Sequence, residues 1–147
     1  MANALIDALT SNDAKAAYTL LQQLEEQSEH DAGLYPLLGD FLEMLQDESS
    51  LVRARGFRLV VAQARWDSCN VIDSQMEKLF ALLHDPKGTT ARQCLQFSSV
   101  LLEAKPYLFS QVEDALKAID LTRYPEGIRP LIARDAQKLA AWAEKCG

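Results

Sequence analysis

The chain has 147 residues, of which 48% are hydrophobic and 24% charged, as is typical of a globular domain of ordinary size. Its formal net charge is −6, and its three cysteines, Cys69, Cys94 and Cys146, are too widely spaced to indicate a disulfide framework. No apolar run approaches the roughly 18 residues of a membrane span, and no signal peptide is visible. We therefore expect a cytoplasmic protein with no membrane association.

The charge is unevenly distributed along the chain. The first 48 residues hold one basic residue, Lys15, against ten acidic residues, whereas the remainder holds fourteen basic and eleven acidic residues. An acidic end repels phosphate, so this distribution disfavours nucleic acid as a partner. A plainer interpretation of the same pattern is a solvated cap that carries acids for solubility.

Capping residues and helix breakers divide the chain into predicted helices. A short segment at residues 2–9 precedes a helix that begins after the capping residues Thr10–Asp13 and ends near Gln27. The remaining predicted helices cover about residues 34–45, 50–65, 71–83, 89–104, 106–119 and 125–145. After the short segment at residues 2–9, the predicted helices thus form pairs in which a first helix is followed by a second helix, and the last first helix, at 125–145, has no second helix after it.

One short pattern recurs at nearly constant spacing. It is found at Ala14-Lys15, Val52-Arg53, Ala91-Arg92 and Ile128-Arg129. The basic residues are 38, 39 and 37 positions apart. A period in this range, with two helices in each unit, is typical of an α-solenoid, whose units bury their apolar faces by stacking on one another.

The segments Asp47–Arg53 and Asp85–Arg92 resemble the Asp, Pro and Val-Arg positions of HEAT repeats. The resemblance extends over about residues 11–145 and implies an all-α, right-handed α-solenoid of about three and a half helical hairpins. The single domain would comprise an N-terminal cap at 1–10, repeats at about 11–47, 48–85 and 86–120, and a C-terminal capping helix at 121–147. Tetratricopeptide repeats, with a period of about 34, are the alternative.

The repeated arginines divide into two groups on a helical wheel. Arg53 and Arg129 lie within the apolar arcs of their helices, whereas Arg92 shares its face with polar residues and should be exposed. A guanidinium against the core needs a partner, so we expect Arg53 to bind helix-end carbonyls or a carboxylate, Asp47 or Asp85. The expected structural ladder consists of Asp47, Arg53, Asp85 and Arg129. Arg55, Arg58 and Arg65 lie opposite Arg53 and predict an exposed basic stripe.

No catalytic constellation is evident in the sequence. His30 and His84 lie in different predicted turns, no Cys or His spacing indicates a metal site, and no glycine-rich loop could hold a phosphate. Cys94 lies on an apolar face and should be buried. We therefore expect neither an enzyme nor a bound cofactor or metal.

The resemblance also implies that the second helix of each unit lines a concave face. The partner-binding residues expected there are Asp40, Glu43, Glu77, Lys78, Glu113, Asp114 and Lys117. An acidic stripe suits a basic or amphipathic segment of another protein, which predicts a non-catalytic interaction module or scaffold. The alternatives are an ordinary solvated helix face, the basic arginine stripe as the binding surface, or a nucleic-acid-binding or repair protein, because the resemblance extends to HEAT-like DNA glycosylases.

Overall fold

The computed structural model describes residues 2–146, and the side chains of residues 3–145. Over residues 2–146 the chain forms eight α-helices, several short 3-10 turns and no strand, which confirms the all-α prediction. The helices are α1 (Ala2–Leu9), α2 (Ala14–His30), α3 (Leu38–Met44), α4 (Ser50–Ala62), α5 (Met76–Ala81), α6 (Gly88–Ala104), α7 (Phe109–Lys117) and α8 (Arg129–Cys146).

Local side-chain chemistry explains where the helices begin. The Asp13 carboxylate accepts a hydrogen bond from the Ala16 N–H at 3.1 Å, and the Ser49 hydroxyl accepts one from the Val52 N–H at 3.4 Å. Each side chain satisfies an N–H group that has no partner within its helix. These two capping positions agree with the starts predicted for α2 and α4.

The short helices differ from their predicted lengths because part of each segment forms a 3-10 turn. Tyr35–Leu37 and Pro106–Leu108 are 3-10 turns that lead into α3 and α7. Proline fits the first turn of a helix, where its missing N–H is not needed. The last predicted helix begins later than expected, at Arg129, after the 3-10 turn Leu121–Arg123.

The long helices lie in a row. Helix α4 packs between α2 and α6, α6 packs on α8, and α3 covers a further side of α4. Every residue from Ala54 to Val61 is consequently buried. Helix α4 thus has neighbours on three sides, which places it at the centre of the hydrophobic core.

Helices α3 and α4 approach closely at Gly56. A Cβ atom added to this glycine would lie 2.6 Å from the Met44 Cβ and 3.1 Å from the Phe41 carbonyl oxygen. Both distances are shorter than ordinary van der Waals contact. A larger residue at this position would therefore force the two helices apart.

Side-chain hydrogen bonds connect residues that are about one sequence period apart. Among the described residues, the partners of each such bond are either at most 7 positions apart, as in Arg129–Thr122, or between 32 and 46 apart. The bonds from Tyr35 to Asp67 and from Arg55 to Leu9 mark the limits of the longer range. These separations bracket the spacing of the repeated basic residues in the sequence.

Candidate partner-binding surface

The residues predicted to bind a partner lie on the three short helices α3, α5 and α7. We refer to them as the acidic face: Asp40, Glu43, Glu77, Lys78, Glu113, Asp114 and Lys117. All seven are at least partly exposed, because the buried residues Phe41, Leu79 and Val112 hold the opposite sides of their helices. The binding role of these residues remains a prediction.

Each short helix is positioned mainly by the long helices or by adjacent turns. Helix α3 packs on α4, α7 packs on α8, and α5 continues into the turn Leu82–His84, which packs on α4 and α6. Direct packing between successive short helices is weak by comparison. The acidic face is therefore distributed over three helices, and its residues do not form one tight cluster.

The charges of the acidic face are almost all available to solvent. Its one ion pair within the described residues joins Lys117 Nζ to Glu113 Oε1 at 3.6 Å, with side chains 73% and 41% exposed. A pair of this kind on a helix surface contributes about 0.3–0.5 kcal/mol. Asp40, Glu43 and Glu77 have no ion-pair partner among the described residues.

Arg53 occupies the ladder position that the sequence predicts. Its Nε donates to Asp85 Oδ1 at 2.8 Å and a terminal nitrogen donates to Oδ2 at 3.0 Å, so the pair is bidentate. The other terminal nitrogen donates to the carbonyls of Asp47 and Glu48, both at 3.0 Å. The bond to Asp85 raises the pKa of Arg53 above its ordinary value. Arg53 thus links the segment between α3 and α4 to the turn that precedes α6.

Asp47 and Arg129 contribute to the ladder in ways that the sequence did not specify. The Asp47 carboxylate accepts the Ser49 N–H at 2.9 Å, so only its backbone carbonyl reaches Arg53. Arg129 Nε donates to the Tyr124 carbonyl at 2.7 Å. The Tyr124 hydroxyl donates to the Asp85 carbonyl at 2.8 Å, which connects the segment before α8 to the turn that precedes α6.

The exposed arginine stripe predicted on α4 is wrong for two of its three members. Arg55 and Arg58 are only 6% and 7% exposed, because α2 and α6 flank the side of α4 on which they lie. Arg55 donates to the Leu9 carbonyl at the end of α1, at 2.9 Å. Arg65 is exposed as predicted and donates to the Glu29 carbonyl at the end of α2, at 2.8 Å.

Arg58 is the most elaborately paired of these residues. It forms a bidentate pair with Glu25, at 2.9 Å and 2.7 Å, and donates to Gln93 at 3.3 Å. Its guanidinium also lies 4.0 Å from the ring centroid of Phe97 and 5.4 Å from that of Tyr18. Burial lowers its pKa, but the bonds to Glu25 outweigh burial and the net shift is upward.

Arg92 also differs from its prediction. Its side chain is 30% exposed, not fully solvated, and its Nε lies 2.7 Å from Asp135 Oδ2 on α8. Asp135 is itself buried. The wheel of α6 alone could not show that α8 supplies a carboxylate at this position.

Sequence reasoning missed a group of polar residues around a buried lysine. We refer to it as the lysine cluster: Tyr35, Asp67, Asn70, Asp73, Lys105 and Tyr107. Lys105 Nζ lies 2.8 Å from Asp73 Oδ1, 2.9 Å from Asn70 Oδ1 and 3.3 Å from Asp67 Oδ2. The Tyr107 hydroxyl donates to Asp73, and the Tyr35 hydroxyl donates to Asp67 at 2.5 Å. A signal was present, because Lys105 continues the helical spacing of the buried residues Cys94, Ser98 and Leu101.

The lysine cluster changes the acidity of its members. Burial opposes ionisation of Asp67, but bonds from the Tyr35 hydroxyl, the Ile72 N–H and Lys105 outweigh it and hold its pKa below the usual range. The pKa of Asp73 is lowered in the same way, chiefly by Lys105. The bond to Asp67 raises the pKa of Tyr35 to about 12. The cluster therefore holds two ionised carboxylates around one ammonium group.

The remaining reactive side chains are separated from one another. Cys94 is buried as predicted, and burial raises its pKa. Cys69 is exposed, and the Cys146 side chain lies outside the described ones. Burial and the nearby Arg123 lower the pKa of His84. Among the side chains of residues 3–145, no three His, Cys, Asp or Glu groups are arranged to hold a metal ion.

None of the helices described here has the length and apolar character needed to cross a bilayer. Comparison with protein-family models, curated proteins and solved structures finds no match to this chain. Inference about function therefore depends on the surfaces of the molecule.

Proposed function

We propose that this chain is a non-catalytic protein-interaction module or scaffold built as a HEAT-like α-solenoid. The order of the long helices supports the repeat architecture, because α2, α4, α6 and α8 are neighbours in the same order as in the sequence. The separations of 32 to 46 positions between side-chain partners support it independently. Stacked repeats whose contacts are limited to adjacent units produce this pattern.

The observation that carries the proposed binding role is the contrast between paired and unpaired charges. The buried side chains of Arg58 and Lys105 and the partly buried side chain of Arg53 each meet a carboxylate within 3.3 Å. The acids of the acidic face have at most one weak surface pair among the described residues. These carboxylates are therefore available to a cationic partner.

A basic or amphipathic protein segment fits this surface best. Five carboxylates and two lysines on α3, α5 and α7 give the acidic face a net negative charge, and the whole chain carries −6. Complementary charge steers association and selects among partners more than it adds affinity. Nucleic acid would meet repulsion on the same surface, since its binding depends on neutralised phosphates.

Charge reversal on the acidic face tests the proposal. We would replace Asp40, Glu43, Glu77 and Glu113 together by lysine and titrate the protein with a fluorescent peptide of alternating lysine and serine. That peptide is cationic but has no apolar face. The matched control reverses Asp7, Glu26, Glu126 and Glu144, which are exposed acids outside the acidic face and give the same change in net charge.

Loss of peptide binding in the first variant, with retention in the control, supports the acidic face. Equal loss in both would show that only the net charge matters, and equal retention would exclude this surface. Duplex DNA in the same assay provides a further check. Micromolar DNA binding that weakens steeply with salt would favour a nucleic-acid-binding protein instead.

A further inference from the structure

A second candidate surface lies on the row of long helices, where a groove follows α4 between α2 and α6. It consists of three adjoining depressions of about 450, 200 and 250 Å³. The first and second share Arg58 and Phe97, and the second and third share Val61 and Val100. From Leu51 to Arg65 the groove extends along about 21 Å, over α4 and the 3-10 turn that follows it, since each helical residue rises about 1.5 Å.

The lining of the groove repeats at helical spacing on both walls. Helix α2 contributes Tyr18 and Leu21, of which Leu21 is only 1% exposed, and α6 contributes the partly exposed Phe97 and Val100. Tyr18 is 47% exposed, and Leu51 at one end of the groove is 51% exposed. Large apolar side chains are thus available to a ligand along the groove.

The floor of the groove offers little free charge. Small residues, Ala54 and Ala62, lie on the groove side of α4. Arg58 is also there, but Glu25 and Gln93 occupy its hydrogen-bond donors and Phe97 lies against its guanidinium plane. Arg55 also lines the floor, is 6% exposed and donates to the Leu9 carbonyl. The floor therefore consists of small apolar residues and two buried guanidinium groups whose hydrogen bonds are made within the protein.

The charges that remain exposed are concentrated at the carboxyl end of α4. Glu29 on α2 and Glu103 on α6 line this end from opposite walls, and both are exposed. Arg65 lies between them and donates to the Glu29 carbonyl. Two carboxylates and one guanidinium give this end of the groove a net negative charge.

We propose that this groove binds an amphipathic helix of a partner protein. The helix would be about four turns long, with apolar side chains that contact Tyr18 and Phe97 above the Arg58 guanidinium, which lies between these two rings. A lysine or arginine near one of its ends would lie over Glu29 and Glu103. An α-helix fits this groove because the side chains on one of its faces recur every three or four residues. The lining residues on the two walls of the groove recur at the same spacing. This site is separate from the acidic face, so the chain would hold two partners on two surfaces.

The test uses a synthetic peptide of about 14 residues. It contains only leucine and lysine, with the leucines on one face of the helix. Affinity is measured by fluorescence anisotropy, and the site is mapped by chemical shifts of the intact, ¹⁵N-labelled protein. We expect shifts in Tyr18, Val61 and Phe97.

A matched pair of variants locates the peptide. Ala62 in the groove is the last residue of α4, and Ala81, an exposed residue on the helix that carries Glu77 and Lys78, is the last residue of α5. We expect Ala62→Lys to weaken binding at least about tenfold and Ala81→Lys to change it less than about twofold. If Ala62→Lys fails to fold, Leu51→Gln replaces it, because Leu51 is half-exposed at the other end of the groove.

Three results would overturn the proposal. A larger effect of Ala81→Lys than of Ala62→Lys would place the peptide on the acidic face. Equally tight binding of a peptide with the same composition in scrambled order would show that charge alone is responsible. Equally tight binding of an analogue in which glutamate replaces lysine would show that Glu29 and Glu103 do not select a cation. The lysine-serine peptide has no apolar face, so failure of this proposal is distinguishable from failure of the acidic face.

Discussion

Arg58 and Asp135 on the row of long helices are buried and meet counter-charges, whereas the charged side chains of the acidic face on α3, α5 and α7 extend into solvent with almost no partner among the described residues. A charge removed from water destabilises the fold unless it is paired, so loss of one partner of a buried pair should be strongly destabilising. An exposed acid costs little to keep and stays available for binding. The two regions should therefore respond differently to mutation.

The largest effect is expected in the lysine cluster. Asp67→Ala would leave Lys105 without one of its two carboxylates and remove an acceptor from two backbone N–H groups and from Tyr35. Loss of one member of a buried pair costs about 3–5 kcal/mol in the free energy of unfolding. This loss is measured by urea unfolding monitored with circular dichroism. A loss below about 1 kcal/mol would show that the cluster is not structurally important.

Arg53→Ala should have the next largest effect. Arg53 is 17% exposed and Asp85 only 2%, so the variant would leave a buried carboxylate with only the Lys87 N–H. We expect a loss of about 2–3 kcal/mol, less than for a fully buried pair. Arg53→Lys should fall in between, because lysine keeps the charge but cannot form the bidentate pair. A change under about 0.5 kcal/mol in Arg53→Ala would contradict the ladder role.

Stability should also fall in acid, by a smaller and graded amount near pH 4. Asp67 and Asp73 have folded-state pKa values below their usual range. Their contribution is complete above the unfolded-state value of about 3.9 and is lost as the pH falls through the lower folded-state values. Unfolding measured from pH 7 to pH 2 tests this. Asp67→Asn should lose less stability on acidification than the unchanged protein, and equal losses would contradict the assignment.

The smallest effect is expected on the acidic face. Glu43→Lys or Glu77→Lys should each change the free energy of unfolding by less than about 0.5 kcal/mol, because neither side chain has an ion-pair partner among the described residues. Urea unfolding measures this change in the free energy of unfolding, so that it can be compared directly with the change for Asp67→Ala. A loss above about 2 kcal/mol would mean that these acids hold the fold together, and the distinction between the two regions would then disappear.

The sequence predicted those features that depend on one helix and its immediate neighbours in the chain. The caps of α2 and α4, the burial of Cys94 and the contact between Arg53 and Asp85 all agree with the structure. Local chemistry determines caps, and an apolar arc shows which residues face the core.

Burial of Arg55 and Arg58 could not be predicted from α4 alone. A helical wheel gives the direction of a side chain but not the number of neighbouring helices, and α4 has neighbours on three sides. The partners of Arg58 and Arg92, Glu25 and Asp135, lie 33 and 43 positions away in the sequence. Only the packing of whole helices brings these charges together.

The limited range of the side-chain bonds has a consequence for folding. No described side-chain hydrogen bond joins residues more than 46 positions apart, so none requires closure of a longer chain loop. Such low contact order favours rapid folding. Amide hydrogens of α4, which has neighbours on both sides in the row, should exchange with solvent more slowly than those of α1 at the edge.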